Sequence, residues 1–143
     1  MEFIKLNENW NAEPGAPGEE IEVNNPNVKL SFYLNTYIYD GFNEKDRGIL
    51  EFQNCFQFSY GGPNDEGFYS HGQSRYKKYG IKWGEFYLVE DSDWETISYA
   101  KIYVNRKLDS NKLNHYLFYL KDGTFECFAE NYKFYVIKNG GTK

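Results

Sequence analysis

Between residues 28 and 34 the chain reads VKLSFYL, and Val28, Leu30, Phe32 and Leu34 alternate with Lys29, Ser31 and Tyr33. A period of two sends alternate side chains to opposite sides of an extended segment, so this run is predicted to be a strand with one wet face. Residues 21–23 precede it across the turn-forming types Asn24, Asn25, Pro26 and Asn27, which predicts a hairpin with a loop longer than two residues. Residues 36–39 continue or re-enter the sheet before Asp40-Gly41 turns the chain, and 42–48 (FNEKDRG) read as a charged loop. Residues 49–60, ILEFQNCFQFSY, hold Leu50, Phe52, Phe56, Phe58 and Tyr60 on one parity, broken only by Asn54. Glu51, Gln53, Gln57 and Ser59 take the other parity, which predicts a long central strand with Phe56 in the core.

Beyond residue 60 the pattern is cut by turn chemistry: Gly61-Gly62-Pro63-Asn64, then Gly67, Gly72, Gly80 and Gly84. Short pieces at 68–70, 73–76 and 82–89 have strand character, and alternation puts Trp83, Glu85, Tyr87 and Val89 on one face. Ser92 and Glu95 match a capping box, but the β-branched Thr96, Ile97, Ile102 and Val104 favour a strand over 99–105. Residues 108–112 read as a polar turn. Asp122-Gly123 between the aromatic runs 113–121 and 124–130 predicts a two-residue hairpin, and 132–137 follows across Asn131 to pair next. At the start, 2–6 alternates weakly. Residues 7–20 form an irregular arm in which Pro14 and Pro17 lack donors and Trp10 docks onto the body, or joins Glu13 in a ligand cleft. The expected fold is all-β, an antiparallel sandwich or partly closed barrel of about eight to ten short strands. It fills one domain over 1–143, with a disordered tail at 139–143.

Composition supports this reading. Aromatic residues make up 20% of the 143, with 14 Tyr and 12 Phe, and such side chains suit pleated, half-buried surfaces. The net charge of -5 is unevenly spread: residues 1–51 carry ten acidic and four basic side chains, whereas 52–143 carry eleven and twelve. Acidity in the first third repels phosphate backbones and steers basic protein partners, so nucleic acid is not an expected partner. No signal-type segment or membrane span is read, which predicts a cytoplasmic protein with no membrane partner. Cys55 and Cys127 lack zinc-site spacing; they read as reduced thiols, with a disulfide between them as the alternative.

The candidate binding surface is Asp65, Glu66, Gln73, Arg75, Trp83, Glu85 and Tyr87, the most chemically varied stretch of the chain. Glu66 and Glu85 could serve as the acid and base of a carbohydrate-active enzyme, with Trp83 and Tyr87 stacking on sugar. The competing reading makes 64–67 a solvated turn and Glu85 an ion-pair partner of Arg75. His71 and His115 lack metal-ligand spacing and read as strand or loop histidines with one satisfied ring nitrogen. No nucleophile elbow, phosphate loop or dinucleotide fingerprint occurs, so no catalytic residue, metal or cofactor is assigned.

The motifs WNAEPGAP at 10–17, NDEG at 64–67, GQSR at 72–75, WGEFY at 83–87 and LFYLKDGTFEC at 117–127 together resemble a group of small bacterial proteins. The resemblance implies a free-standing intracellular protein and brings no named activity. By type, such small acidic, aromatic-rich proteins suggest immunity proteins, whose partner is a basic toxin. The expected function is therefore a protein-binding module of that kind, with the carbohydrate-active or sugar-binding reading as the alternative.

Overall fold

The computed structural model describes residues 2–61, 82, 84–91, 102–105, 107–108, 112–120 and 123–138. Eight strands occur among them: β1 (Glu2–Lys5), β2 (Glu20–Asn24), β3 (Asn27–Tyr33), β4 (Arg47–Gly61), β5 (Phe86–Glu90), β6 (Ile102–Tyr103), β7 (Asn114–Leu120) and β8 (Gly123–Ile137). All pairings are antiparallel in one sheet of order β1-β5-β7-β8-β4-β3-β2, with β6 on β4. The all-β fold class is thus met, and the sheet does not close into a barrel.

The sheet curls around its aromatic residues. Side chains on β3 and β7, three strand positions apart, would sit roughly 14 Å from each other in a flat sheet. The rings of Phe32 and Phe118 nevertheless meet at 5.1 Å, and those of Phe52 on β4 and Phe86 on β5 at 6.0 Å. Val28, Leu30, Phe32 and Leu34 all face this core, as their alternation predicts.

The long strands bend to allow it. On β4 the inward residues are Leu50, Phe52, Cys55 and Phe58, so the predicted parity fails in the middle of the strand. Asn54 adopts a positive φ of 52°, a conformation its short amide side chain tolerates, and this turns Cys55 inward. A bulge between Cys55 and Gln57 then shifts the register again, so the two changes cancel by Phe58. Phe56 is left half-buried, its ring 5.8 Å from that of the exposed Tyr103, and the expected core placement is corrected.

Other boundaries also move. The β2–β3 loop is only Asn25-Pro26, with that bond cis as in type VI turns. Residues 36–39 make a turn instead of re-entering the sheet, and they expose Tyr37 and Ile38. The charged loop before β4 hides one carboxylate, Asp46, which meets Lys138 Nζ at 3.2 Å and accepts from Asn43 N. In the last hairpin Leu120 pairs with Gly123, one residue from the predicted turn, and β8 runs unbroken through Asn131. The predicted strands at 68–70 and 73–76, the 92–95 cap and the tail lie outside the described residues.

Gly48 sits beneath packed side chains of β3 and β8. A Cβ there would meet Phe32 Cε2 at 2.9 Å, Leu34 Cδ2 at 3.0 Å and Phe134 Cε1 at 3.0 Å. Gly48→Ala is expected to cost about 1–3 kcal/mol through overpacking, measured by urea denaturation. No loss would show that these rings yield freely.

Candidate functional site

Of the seven candidate residues, Asp65, Glu66, Gln73, Arg75 and Trp83 lie outside the described residues, and Glu85 and Tyr87 are buried. Glu85 lies immediately before β5, where the buried Asn7 donates its amide to one carboxylate oxygen and Lys5 Nζ lies 3.5 Å from the other. The same Asn7 donates to Trp10 O at 2.7 Å and accepts from Phe86 N at 3.1 Å. Asn7 therefore clasps the arm to β5. The Tyr87 hydroxyl accepts from Lys82 N at 2.8 Å, and the Tyr87 ring meets Phe3 edge-on at 6.3 Å. Burial pushes the Tyr87 phenol up, and the Glu85 charge adds to that shift.

The arm brings Trp10 and Glu13 to different places. Trp10 is buried in the core, stacked on Phe134 at 4.0 Å and 3°. Ala12 bridges to Leu34, and Glu13 N donates to Tyr33 O, so the arm runs beside the end of β3. There Glu13, Ala16, Tyr33, Leu34, Thr36, Tyr37, Glu44 and Lys45 line an open hollow of about 480 Å³. Glu13 is fixed in it by accepting from Gly15 N at 2.7 Å and Ala16 N at 2.8 Å. The Tyr33 ring is held from one side by the Arg47 guanidinium, 4.5 Å from its centroid.

The sheet's second face is also dry along β5, β7, the first half of β8 and the end of β4, and its polar content is the feature sequence reasoning missed. Tyr87, Val89, Leu117 and Tyr119 cluster there, with Phe3 packed against them. On β7 and β8, His115 Nε2 lies 2.7 Å from Glu126 Oε1, with both side chains nearly inaccessible. The expectation that His115 is a strand histidine with a satisfied ring nitrogen holds. Its partner was findable in principle, because the hairpin register makes His115 and Glu126 diagonal neighbours. Gln57 and Ser59 of β4 are buried opposite Phe128 and Glu126.

Cys55 and Cys127 are both free and buried in the aromatic core, as the reduced-thiol reading expects. Burial pushes the Cys127 thiol well up, and the adjacent Cys55 adds to the shift. Burial also pushes Tyr116 up to about 12, against a weak opposing hydrogen bond from Asn114 at 3.4 Å. Because the unfolded phenol titrates near pH 10, Tyr116 contributes stability that is intact below about pH 10 and is lost as the pH rises towards 12. Phenolate absorbance should show this residue titrating late, and Tyr116→Phe should flatten the alkaline loss of stability. An unchanged alkaline profile in that variant would assign the loss elsewhere.

Among the described residues the geometry defines an antiparallel β protein with an aromatic core, a buried polar pair on the opposite face and an acidic, aromatic hollow beside the arm. Compared with protein-family models, with curated proteins and with solved structures, the chain finds no match.

Proposed function

We propose that this protein is a binding module for a basic protein partner, of the immunity type, and that its contact surface is the acidic, aromatic region around the hollow. The observation that carries this reading is a juxtaposition. Tyr37 and Ile38 are 77% and 64% exposed, Glu13 and Glu44 line the hollow together with Tyr37, and Asp40 follows two residues after Ile38 in the acidic first third of the chain. Exposed rings with carboxylates around them suit recognition in which charge steers the encounter and aromatic anchors hold it. The toxin reading follows from the same charge complementarity, since toxins acting on nucleic acid present basic surfaces.

The test is capture on the immobilised protein from its native host, at low and at raised salt, with captured proteins identified by mass. A basic partner whose recovery falls as salt rises is expected, because exposed charges are screened within about 8–10 Å at moderate ionic strength. Recovery of no partner, or of one indifferent to salt, would overturn the reading.

A further inference from the structure

The hollow has the chemistry of a receptor for one particular side chain. Tyr33 and Tyr37 provide aromatic surface, Leu34 and Ala16 an apolar floor, and Glu13 and Glu44 two carboxylates against the single ammonium of Lys45. Glu13 is held by two backbone donors, one on each oxygen, and a carboxylate has about four lone-pair positions, so it retains acceptor capacity without having to be ordered on binding. Tyr33 already takes a guanidinium on its ring from Arg47, which donates to Gly18 O at 2.7 Å and to Ser31 Oγ at 3.1 Å. The same combination of rings and carboxylates is presented outward around Tyr37, where no strand pairs and the side chain is mostly in solvent.

We infer that the hollow accepts an arginine side chain of a basic protein partner, with the guanidinium between Glu13 and Glu44 and against Tyr37, and with Ile38 covering the adjoining apolar contact. Arginine fits better than lysine because its planar, weakly hydrated head stacks on rings and forks onto carboxylates together, whereas an ammonium is a compact, strongly hydrated charge. This assignment rests on the binding-module reading and narrows it to one place on the surface.

The probe is a nona-arginine peptide amide, with nona-lysine and nona-citrulline as comparisons, titrated into the folded protein at low salt while backbone amide shifts are followed. Shifts centred on residues 13–16, 33–37 and 44–45 are expected, strongest with arginine and absent with citrulline. Tyr37→Ala and Glu44→Gln should each weaken arginine binding roughly three- to tenfold. Glu22→Gln on β2, paired with Lys29 towards the other end of β3, makes the same charge change away from the hollow and should weaken it less than twofold. Both test positions are exposed, and Tyr37 N donates to Asn35 Oδ1 through the backbone, so neither substitution removes a core contact. Equal losses from Glu22→Gln and Glu44→Gln would overturn the hollow and leave only general charge attraction. Equal binding of lysine and arginine would overturn the choice of arginine. Host capture unaffected by Tyr37→Ala would sink the hollow while leaving the binding module standing, whereas failed capture by the native sequence would remove the module itself.

Discussion

Trp10→Ala should cost about 3–5 kcal/mol of folding stability, the range for deleting a large buried ring. The indole is 7% exposed and meets four phenyl rings: Phe134 at 4.0 Å, Phe32 at 5.7 Å, Phe118 at 6.2 Å and Phe86 at 6.4 Å. Those rings come from β8, β3, β7 and β5, so one side chain from outside the strands joins elements throughout the sheet. Its removal leaves a cavity that the surrounding sheet, hydrogen-bonded along every strand, closes only in part. Urea denaturation measures the loss, and Trp10→Phe should recover a large part of it. A loss below about 1 kcal/mol would mean that the arm is peripheral.

The second large effect is expected on the opposite face. His115→Leu leaves the Glu126 carboxylate in a dry setting, and Glu126→Leu does the same to the imidazole. Each single change should cost about 3–5 kcal/mol, the range for removing one member of a buried pair. The double substitution to leucine removes both desolvated groups and should cost clearly less than the two singles combined. A double-mutant cycle by denaturant melts decides this. Strict additivity would show that the 2.7 Å contact contributes no coupling.

How much of this was legible depends on which force decided each element. β3 was readable because one of its faces is dry and the other wet, so hydropathy alone records its orientation. The extent of β4 was readable because apolar and polar residue types alternate along it, but the facing of Cys55 and Phe56 was decided by backbone conformation at Asn54 and by the bulge, which leave no mark on hydropathy. Residues 36–39 look strand-forming because Tyr and Ile favour strands, yet the chain must reverse there to enter β4, and topology overrides propensity. The docking of Trp10 could be expected from one large ring in a polar stretch. The clasp at Asn7 could not, because a buried amide and a solvated loop amide are the same letter. Glu85 was singled out for chemical variety beside rings, whereas its described contacts, Asn7 and Lys5, are those of an anchor between the arm and β5.

The position of β4 bears on how the chain can assemble. Its partners along one side are supplied by residues 124–137, and those of β1 by 87–90, so most of the central ladder joins segments far apart in sequence. Among the described residues, consecutive strands pair in the tight hairpins β2–β3 and β7–β8 and, across residues 34–46, in β3–β4. Loop-closure entropy has to be overcome before such distant pairings return any free energy, which places the topology among the slower-folding kinds. During synthesis, a chain that has not yet reached residue 124 holds β4 with that flank unpaired, its aromatic residues made but not yet enclosed. Commitment to the native arrangement therefore waits on the last strand.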